Sequence, residues 1–211
     1  PVREVSSGVG EAALPPVVHP DARPVRLARY ATALATRGSA RPRAHNVRTA
    51  AAALDGAVLP PHGRLSFNGR VGRRSRRRGY RPAPVIVDGE LVDGLGGGVC
   101  QVASTLHAAA FLGGLEIVEH RPHSRPSDYI PMGLDATVVW PNVDLVIANP
   151  FPFRIVVRAR VEGGHTLVAL YGASRPRRVT WRKRVVEREP WSDRYVEDPS
   201  VPPGEERVTQ R

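Results

Sequence analysis

The sequence has only one cysteine and one methionine in 211 residues. A single cysteine excludes a disulfide within the chain and any metal site that is built from several cysteines. Long apolar runs are also missing, and without a stretch of about 18 apolar residues we expect no segment of this chain to span a membrane. The histidines show no metal-ligand spacing, so we predict neither a metal nor another cofactor.

Lysine is nearly absent: Lys183 is the single one, and the net charge of +11 comes almost entirely from arginine. Such a surface attracts polyanions, among them nucleic acid, acidic cell-wall polymers and anionic lipid headgroups. The densest group of arginines lies in a loop-like stretch and supplies the candidate anion-binding residues Arg73, Arg74, Arg76, Arg77 and Arg78. Neither zinc-finger spacing nor an aromatic RNA-binding pattern accompanies them, which makes nucleic acid an unfavoured partner.

The length allows one well-filled core with a small appendage. Residues 1–25 are rich in proline and valine and predict an extended arm. Residues 26–173 form the predicted main domain, and the charged, proline-bearing residues 174–211 form a separate tail. Because the chain begins with Pro1, we expect a processed or excised form, whose upstream signal or anchor would not be visible.

Helical patterns come early in the main domain and strands come late, which predicts an α+β fold with an antiparallel sheet. An apolar face predicts a helix from about His45 to Leu54, and a hairpin is expected at residues 84–92 with Asp88-Gly89 at its turn. Residues 27–36 fit a strand or a short helix. Further strands are predicted at 115–120, 136–140, 145–149, 153–160 and 166–171.

The glycines of Gly96-Gly97-Gly98-Val99-Cys100-Gln101 lead into a helical stretch that stops at Gly113-Gly114. Cys100 therefore lies at a helix N-terminus, where the positive end of the helix dipole lowers a thiol pKa. A thiolate needs a base and an orienting group to act as a nucleophile, and His123 and Asp135 follow within reach. We predict a catalytic triad of Cys100, His123 and Asp135, with the last two on adjacent strands; a buried, inert cysteine is the alternative.

Four further residues are candidates for binding the oxyanion or the substrate. The N–H groups of Cys100 and Gln101 point away from the helix start, and Gly98 shapes the turn before it. Tyr129 or Asn68 could add a donor.

Several motifs occur together between about Arg26 and Gly172: Phe67-Asn68, Val71-Gly72, Gly79-Tyr80, the glycine–cysteine motif, Ser104-Thr105-Leu106, His123-Ser124 and Gly133-Leu134-Asp135-Ala136-Thr137. With them the chain resembles the VanW family, which is found in certain vancomycin-resistance gene clusters and in many bacterial envelope proteins. The resemblance implies an extracytoplasmic protein, either periplasmic, wall-associated or secreted. From Val185 onward the tail is weakly similar to the opening of a G5 module.

The chain order of Cys100, His123 and Asp135 is also remotely similar to that of transglutaminase-like enzymes in the papain-like group. In that group, the helix bearing the cysteine packs on an antiparallel sheet that bears the other two residues. This similarity rests on order and spacing.

Together these features suggest a cysteine-dependent amide hydrolase or transpeptidase that acts on peptidoglycan peptides through a thioacyl intermediate. The alternative is a non-catalytic module that binds peptidoglycan or an anionic wall polymer through its arginines. Nucleic-acid binding through the same arginines is a weaker alternative.

Overall fold

A computed structural model describes residues 24–87, 90–174, 179–184, 199–205 and 207. The chain divides into two compact units, Pro1–Trp181 and Arg182–Arg211. Most of the predicted N-terminal arm and of the predicted G5-like tail lies outside the described residues, and so does the Asp88-Gly89 turn.

Among the described residues, the larger unit has two long α-helices and one short α-helix: α1 (Arg41–Leu54), α2 (Phe67–Val71) and α3 (Val99–Leu112). Pro42 lies at the start of α1, where its missing N–H has no helical partner to lose. One face of α1 is buried, as its pattern predicts, with Val47 and Leu54 fully covered. In α3 the residues from Gln101 to Ala110 are all buried, so α3 is the central helix of the fold.

The largest sheet has four antiparallel strands in the order β1-β9-β8-β2, formed by Val25–Ala33, His165–Gly172, Ile155–Glu162 and Val58–Leu59. Gly163 and Gly164 both have positive φ, which suits the tight predicted hairpin between β8 and β9. Alternate residues of β8 are buried, because α1 packs on β8 and α3 packs on β1 and β9. Residues 27–36, for which the sequence allowed a strand or a helix, lie mainly in β1.

The described part of the unit also has two smaller antiparallel sheets. One has the order β3-β7-β6, formed by Arg64–Ser66, Val146–Ala148 and Glu116–Glu119; the other is the predicted hairpin of β4 (Pro82–Val87) and β5 (Glu90–Leu95). The apolar core joins helices and sheets, and Leu54, Phe67, Leu106 and Ile155 are fully buried in it. Each such side chain contributes about 1.5–3 kcal/mol by its burial. The predicted α+β class with antiparallel sheets is confirmed.

The strand predicted at residues 136–140 is wrong. Within the described part of the chain this segment forms a single bridge, between Val139 and Val143. Its other backbone groups have different partners: Ala136 N–H donates to the Ser104 hydroxyl at 2.8 Å, and Thr137 N–H donates to the Arg121 carbonyl at 2.7 Å. Hydrogen bonds to the Ser104 side chain and to the backbone of a neighbouring loop therefore take the place of a partner strand.

Candidate active site

The turn before α3 depends on close packing at its glycines. A Cβ on Gly97 would lie 2.5 Å from the carbonyl oxygens of both Ala83 and Pro84 in β4, which is closer than any side chain allows. Gly98 has φ of 100°, a left-handed conformation that suits glycine. The Asn46 amide of α1 donates to the Gly97 carbonyl at 3.1 Å and ties this turn to α1. Cys100 is thus fixed as the second residue of α3.

The structure brings Cys100, His123 and Asp135 together. Cys100 is half-buried, its thiol is hydrogen-bonded to the His123 side chain, and its sulfur lies 3.5 Å from the Val138 carbonyl. The Nδ1 atom of His123 lies 2.8 Å from Asp135 Oδ2, so Nε2 is the ring nitrogen that remains for the thiol. Neither His123 nor Asp135 is on a strand, in contrast to the prediction, because both lie in the loops between β6 and β7.

The Asp135 carboxylate is held by the backbone. Its Oδ2 accepts the His123 N–H at 2.7 Å, and its Oδ1 accepts the Gly133 N–H at 3.0 Å. The His123 and Asp135 side chains are only 6% and 7% exposed, so solvent competes weakly for their contact. The loop therefore keeps both the imidazole and the carboxylate in fixed positions.

Local charges and hydrogen bonds favour a thiolate–imidazolium pair. Burial alone raises the pKa of the Cys100 thiol, but the hydrogen bond with His123 and the positive charges of His123 and Arg74 outweigh burial, so the pKa lies below its ordinary value. Burial alone lowers the pKa of His123, but its bonds to Cys100 and Asp135 raise it overall. Burial raises the pKa of Asp135, and the hydrogen bonds it accepts lower it further than burial raises it.

Two further histidines, His107 and His120, bind the backbone at Asp135 and at the residue before it. The rings of His107 and His120 stack with centroids 4.2 Å apart. His107 donates to the Leu134 carbonyl at 2.9 Å, and His120 donates to the Asp135 carbonyl at 2.6 Å. Burial lowers the pKa of His107 below its ordinary value, which favours the neutral ring. No sequence pattern predicts that these two histidines lie next to the triad.

The predicted oxyanion and substrate residues separate into two groups. The Gln101 side chain points away from the thiol and donates to the Thr32 hydroxyl and the Ala33 carbonyl of β1, so it anchors α3 to the sheet. Its N–H donates to Gly98 O at 3.0 Å and is not free for a substrate. Asn68 is buried and binds the Val143 carbonyl and Arg74, so it is occupied as well.

Tyr129, in contrast, lies beside the triad. Its ring meets the His123 ring edge-on with centroids 6.4 Å apart, and its hydroxyl is hydrogen-bonded to the side chains of Ser104 and Ser127. Ser104 lies one helical turn after Cys100 and also exchanges hydrogen bonds with Ala136. Tyr129 therefore forms one wall of the site.

The predicted arginine cluster does not act as one surface. Arg73, Arg76, Arg77 and Arg78 are exposed, whereas Arg74 is half-buried and close enough to Cys100 to influence its pKa. A second arginine, Arg43 of α1, is also electrostatically coupled to Cys100. Sequence reasoning missed Arg43, because no local pattern distinguishes it from the many other arginines of the chain.

Among the described residues, no group of three or more acidic, histidine or cysteine side chains could hold a metal ion. Within the same ranges, no helix has the length and apolar character needed to cross a bilayer.

Comparison with known proteins agrees with the motifs in the sequence. The family model described as "VanW like protein" matches residues 42–171. The protein YoaR of Bacillus subtilis (strain 168), which is described as uncharacterized, is 44% identical over 131 residues. The alignment covers 62% of this chain and 43% of YoaR, so the chain spans less than half of that relative. No solved structure matches the chain, and the similarity to transglutaminase-like enzymes stays a prediction.

Proposed function

Because the chain belongs to the VanW-like protein family, we propose that it is an extracytoplasmic envelope protein whose Cys100 cleaves or transfers peptide amides of peptidoglycan. The main support is the hydrogen-bonded series from the Cys100 thiol through His123 to Asp135. A nucleophile, a base and an orienting carboxylate in this order are what acyl transfer through a cysteine requires.

In the first half of the reaction, the Cys100 thiolate attacks the carbonyl carbon of the amide and a C–S bond forms. The Cys100 N–H, one of the first amides of α3 and without a partner inside the helix, is the donor placed to stabilise the oxyanion. The His123 imidazolium then gives its proton to the nitrogen of the leaving amine, and the C–N bond breaks. A thioester on Cys100 and a neutral His123 remain.

In the second half, neutral His123 accepts a proton from water or from an acceptor amine, which attacks the thioester. The C–S bond breaks and the thiolate–imidazolium pair forms again. Water gives hydrolysis and an amine gives transpeptidation, and both reactions use the same residues. Asp135 keeps Nε2 of His123 directed at the sulfur throughout, because it holds Nδ1.

The test uses the purified protein with soluble peptidoglycan fragments and mass spectrometry. We expect released amine or new cross-links, and an acyl adduct on Cys100 that hydroxylamine removes. Cys100→Ser and His123→Ala should lower the rate by about a thousandfold or more. His165→Ala is the matched control, because His165 is exposed and its side chain has one hydrogen bond in the described structure, to the nearby Gly163 carbonyl. Full activity in Cys100→Ser would rule out the proposal.

Non-catalytic wall binding is the second candidate, and the exposed arginines favour it. Arg73, Arg76 and Arg77 form no salt bridge with a carboxylate among the described residues. If binding is the main function, the triple alanine variant should lose affinity for isolated cell walls while Cys100→Ala keeps it. If catalysis is the main function, the triple variant should keep its turnover of soluble fragments.

A further inference from the structure

Two arginines from different parts of the fold reach the glycine turn that precedes Cys100. A Cβ on Gly98 would lie 2.9 Å from Arg43 Cγ, and a Cβ on Gly96 would lie 2.7 Å from Arg74 Cγ. The aliphatic part of each arginine therefore packs directly on a glycine of this turn. A side chain at Gly96 would have to displace Arg74, and a side chain at Gly98 would have to displace both Arg43 and Val47, so the two glycines allow these arginines to pack on the turn.

Both guanidinium groups are held in place. Arg74 Nη1 donates to Asn68 Oδ1 at 2.6 Å and to the Gly72 carbonyl at 3.1 Å, and its guanidinium carbon lies 5.6 Å from the centre of the Phe67 ring. The guanidinium carbon of Arg43 lies 5.7 Å from the centre of the Tyr129 ring, which itself contacts His123. Phe67 and Tyr129 thus provide an aromatic face for each cation.

The two cations lack a full set of partners. Neither forms a salt bridge in the described part of the chain, and the Nη2 atom of Arg74 is buried without a hydrogen-bond partner. Asp144 attracts Arg74, but its carboxylate accepts hydrogen bonds from Ser66 and from the Asn68 N–H. A buried guanidinium donor without a partner costs free energy unless a ligand satisfies it.

Burial lowers the pKa of both arginines, and the negative charge of a Cys100 thiolate favours their charged forms. One thiolate, however, faces three positive groups: His123, Arg43 and Arg74. Asp135 lies 2.8 Å from His123, and Arg74 is influenced by the carboxylate of Asp144 and by the positive charge of the exposed Arg78, so the site retains one positive charge in excess. This excess suits a ligand that brings one more negative group.

We propose that Arg43 and Arg74 bind a carboxylate of the substrate, adjacent to the amide that Cys100 attacks. The inference rests on the proposed function and narrows its substrate to peptides with a free carboxylate within about one residue of the scissile bond. Guanidinium groups suit this role because they present paired donors to a carboxylate. The carboxylate could be the C-terminus of the peptide or an acidic side chain.

The first experiment compares two alkylating reagents, iodoacetate and iodoacetamide, which differ in charge. For each protein we take the ratio of the iodoacetate rate to the iodoacetamide rate and compare it with the ratio for a small free thiol at the same pH. We expect a ratio about tenfold higher for Cys100, and a return toward the free-thiol ratio in Arg43→Gln and in Arg74→Gln. Arg76→Gln is the control, because Arg76 is exposed and is not among the groups that influence the pKa of Cys100.

The ratio separates carboxylate binding from thiolate stabilisation. If the glutamine variants slow both reagents equally, the arginines act only on the thiol pKa and the inference is wrong. If Cys100 reacts rapidly with both reagents at the free-thiol ratio, the inference is wrong while the proposed nucleophile stands. Arg43→Lys and Arg74→Lys, which keep the charge, serve where a glutamine variant does not fold.

A binding measurement makes the inference independent of catalysis. Calorimetry with Cys100→Ser should show tighter binding of N-acetyl-alanyl-alanine than of its C-terminal amide, by about tenfold, and loss of this difference in Arg43→Gln. Peptides with an amidated C-terminus and one glutamate show whether a side-chain carboxylate serves equally. Equal binding of acid, glutamate peptide and amide would overturn the inference. A thiol that reacts with neither reagent, in a protein that still prefers the acid, would contradict only the proposed function.

Discussion

At the scale of single residues, the site depends on how three titratable groups change each other's protonation. The Asp135 carboxylate raises the pKa of His123, and the His123 charge lowers the pKa of Cys100. The sequence predicted these three residues because their types and chain order match a nucleophile, a base and an orienting group. It could not predict Arg43, since the approach of α1 to the start of α3 is a tertiary contact that has no local pattern.

The Gln101 prediction shows a second limit at this scale. Adjacent residues of a helix differ in direction by about 100°, so the side chain next to Cys100 need not face the same way. Gln101 faces Thr32 and Ala33, and it helps to seat α3 on β1. The residue types of a motif therefore indicate its chemistry, but the direction of each side chain can be known only from the folded structure.

Asp135→Asn should weaken the thiolate–imidazolium pair. The variant removes the negative charge that stabilises protonated His123, so the pKa of Cys100 rises toward its ordinary value. We expect iodoacetamide labelling at pH 7 to slow by about tenfold, and the labelling curve to shift to higher pH. Labelling followed by intact mass from pH 5 to pH 10 measures both changes. An unchanged curve would show that Asp135 has no electrostatic influence on the thiol.

The same carboxylate should also make stability depend on pH. The pKa of Asp135 is lower in the folded chain than in the unfolded chain, so its contribution is present above the unfolded pKa and is lost as pH falls through the folded pKa. We expect wild type to be more stable than Asp135→Asn near pH 6, and this difference to shrink in acid. Urea denaturation from pH 2 to pH 6 gives the two free energies of unfolding. A difference that stays constant over this range would show that ionisation of Asp135 does not contribute to the free energy of unfolding.

At the scale of elements, local patterns predicted α1, α3 and the β8–β9 hairpin because their apolar spacing and glycine ends agree with the fold. They failed at residues 136–140, where Ala-Thr-Val-Val-Trp has strand composition. There the backbone groups bind Ser104, Arg121 and the Cys100 sulfur instead of a neighbouring strand. Hydrogen-bond partners that are distant in sequence therefore determine the conformation of this segment, and a pattern within residues 136–140 cannot reveal them.

Gly97→Ala tests the packing of β4 against the glycine turn that precedes Cys100. The added Cβ meets two backbone carbonyl oxygens, which cannot rotate away as a side chain could. We expect the free energy of unfolding to fall by about 3 kcal/mol. Gly79→Ala is the control: its φ is 82° with open space around it, so it should cost only about 1 kcal/mol of conformational strain. Equal losses in urea denaturation would show that the contact with β4 is unimportant.

At the scale of the whole molecule, the described residues place the triad, the core and the main sheet within one compact unit that ends at Trp181. The sequence placed the change of character earlier, after Gly172, because composition changes there while packing continues. The Val179 side chain, for example, lies near Gly114 at the end of α3. The boundary between residues 173 and 174 follows the composition of the chain and stays a prediction.

A chain that ends at Trp181 should keep the fold and the reactive thiol. All the triad contacts lie within the first unit, so its thermal midpoint should stay within a few degrees of that of the full chain. Differential scanning calorimetry and the iodoacetamide rate at pH 7 measure the two properties. A shorter chain that ends at Tyr171, within β9, provides the comparison and should be unstable. Loss of the thiol's reactivity in the chain ending at Trp181 would show that the second unit supports the site.

The solitary cysteine makes the site vulnerable to oxidants. A thiolate with a lowered pKa reacts readily with peroxide to form a sulfenic acid, and this stretch of chain has no second cysteine to convert that product into a disulfide. Repair would need a thiol from another molecule, and without one further oxidation to the sulfinic acid would be permanent. If Cys100 is the nucleophile that we propose, oxidation of this one sulfur atom would abolish activity while every helix and strand stayed intact.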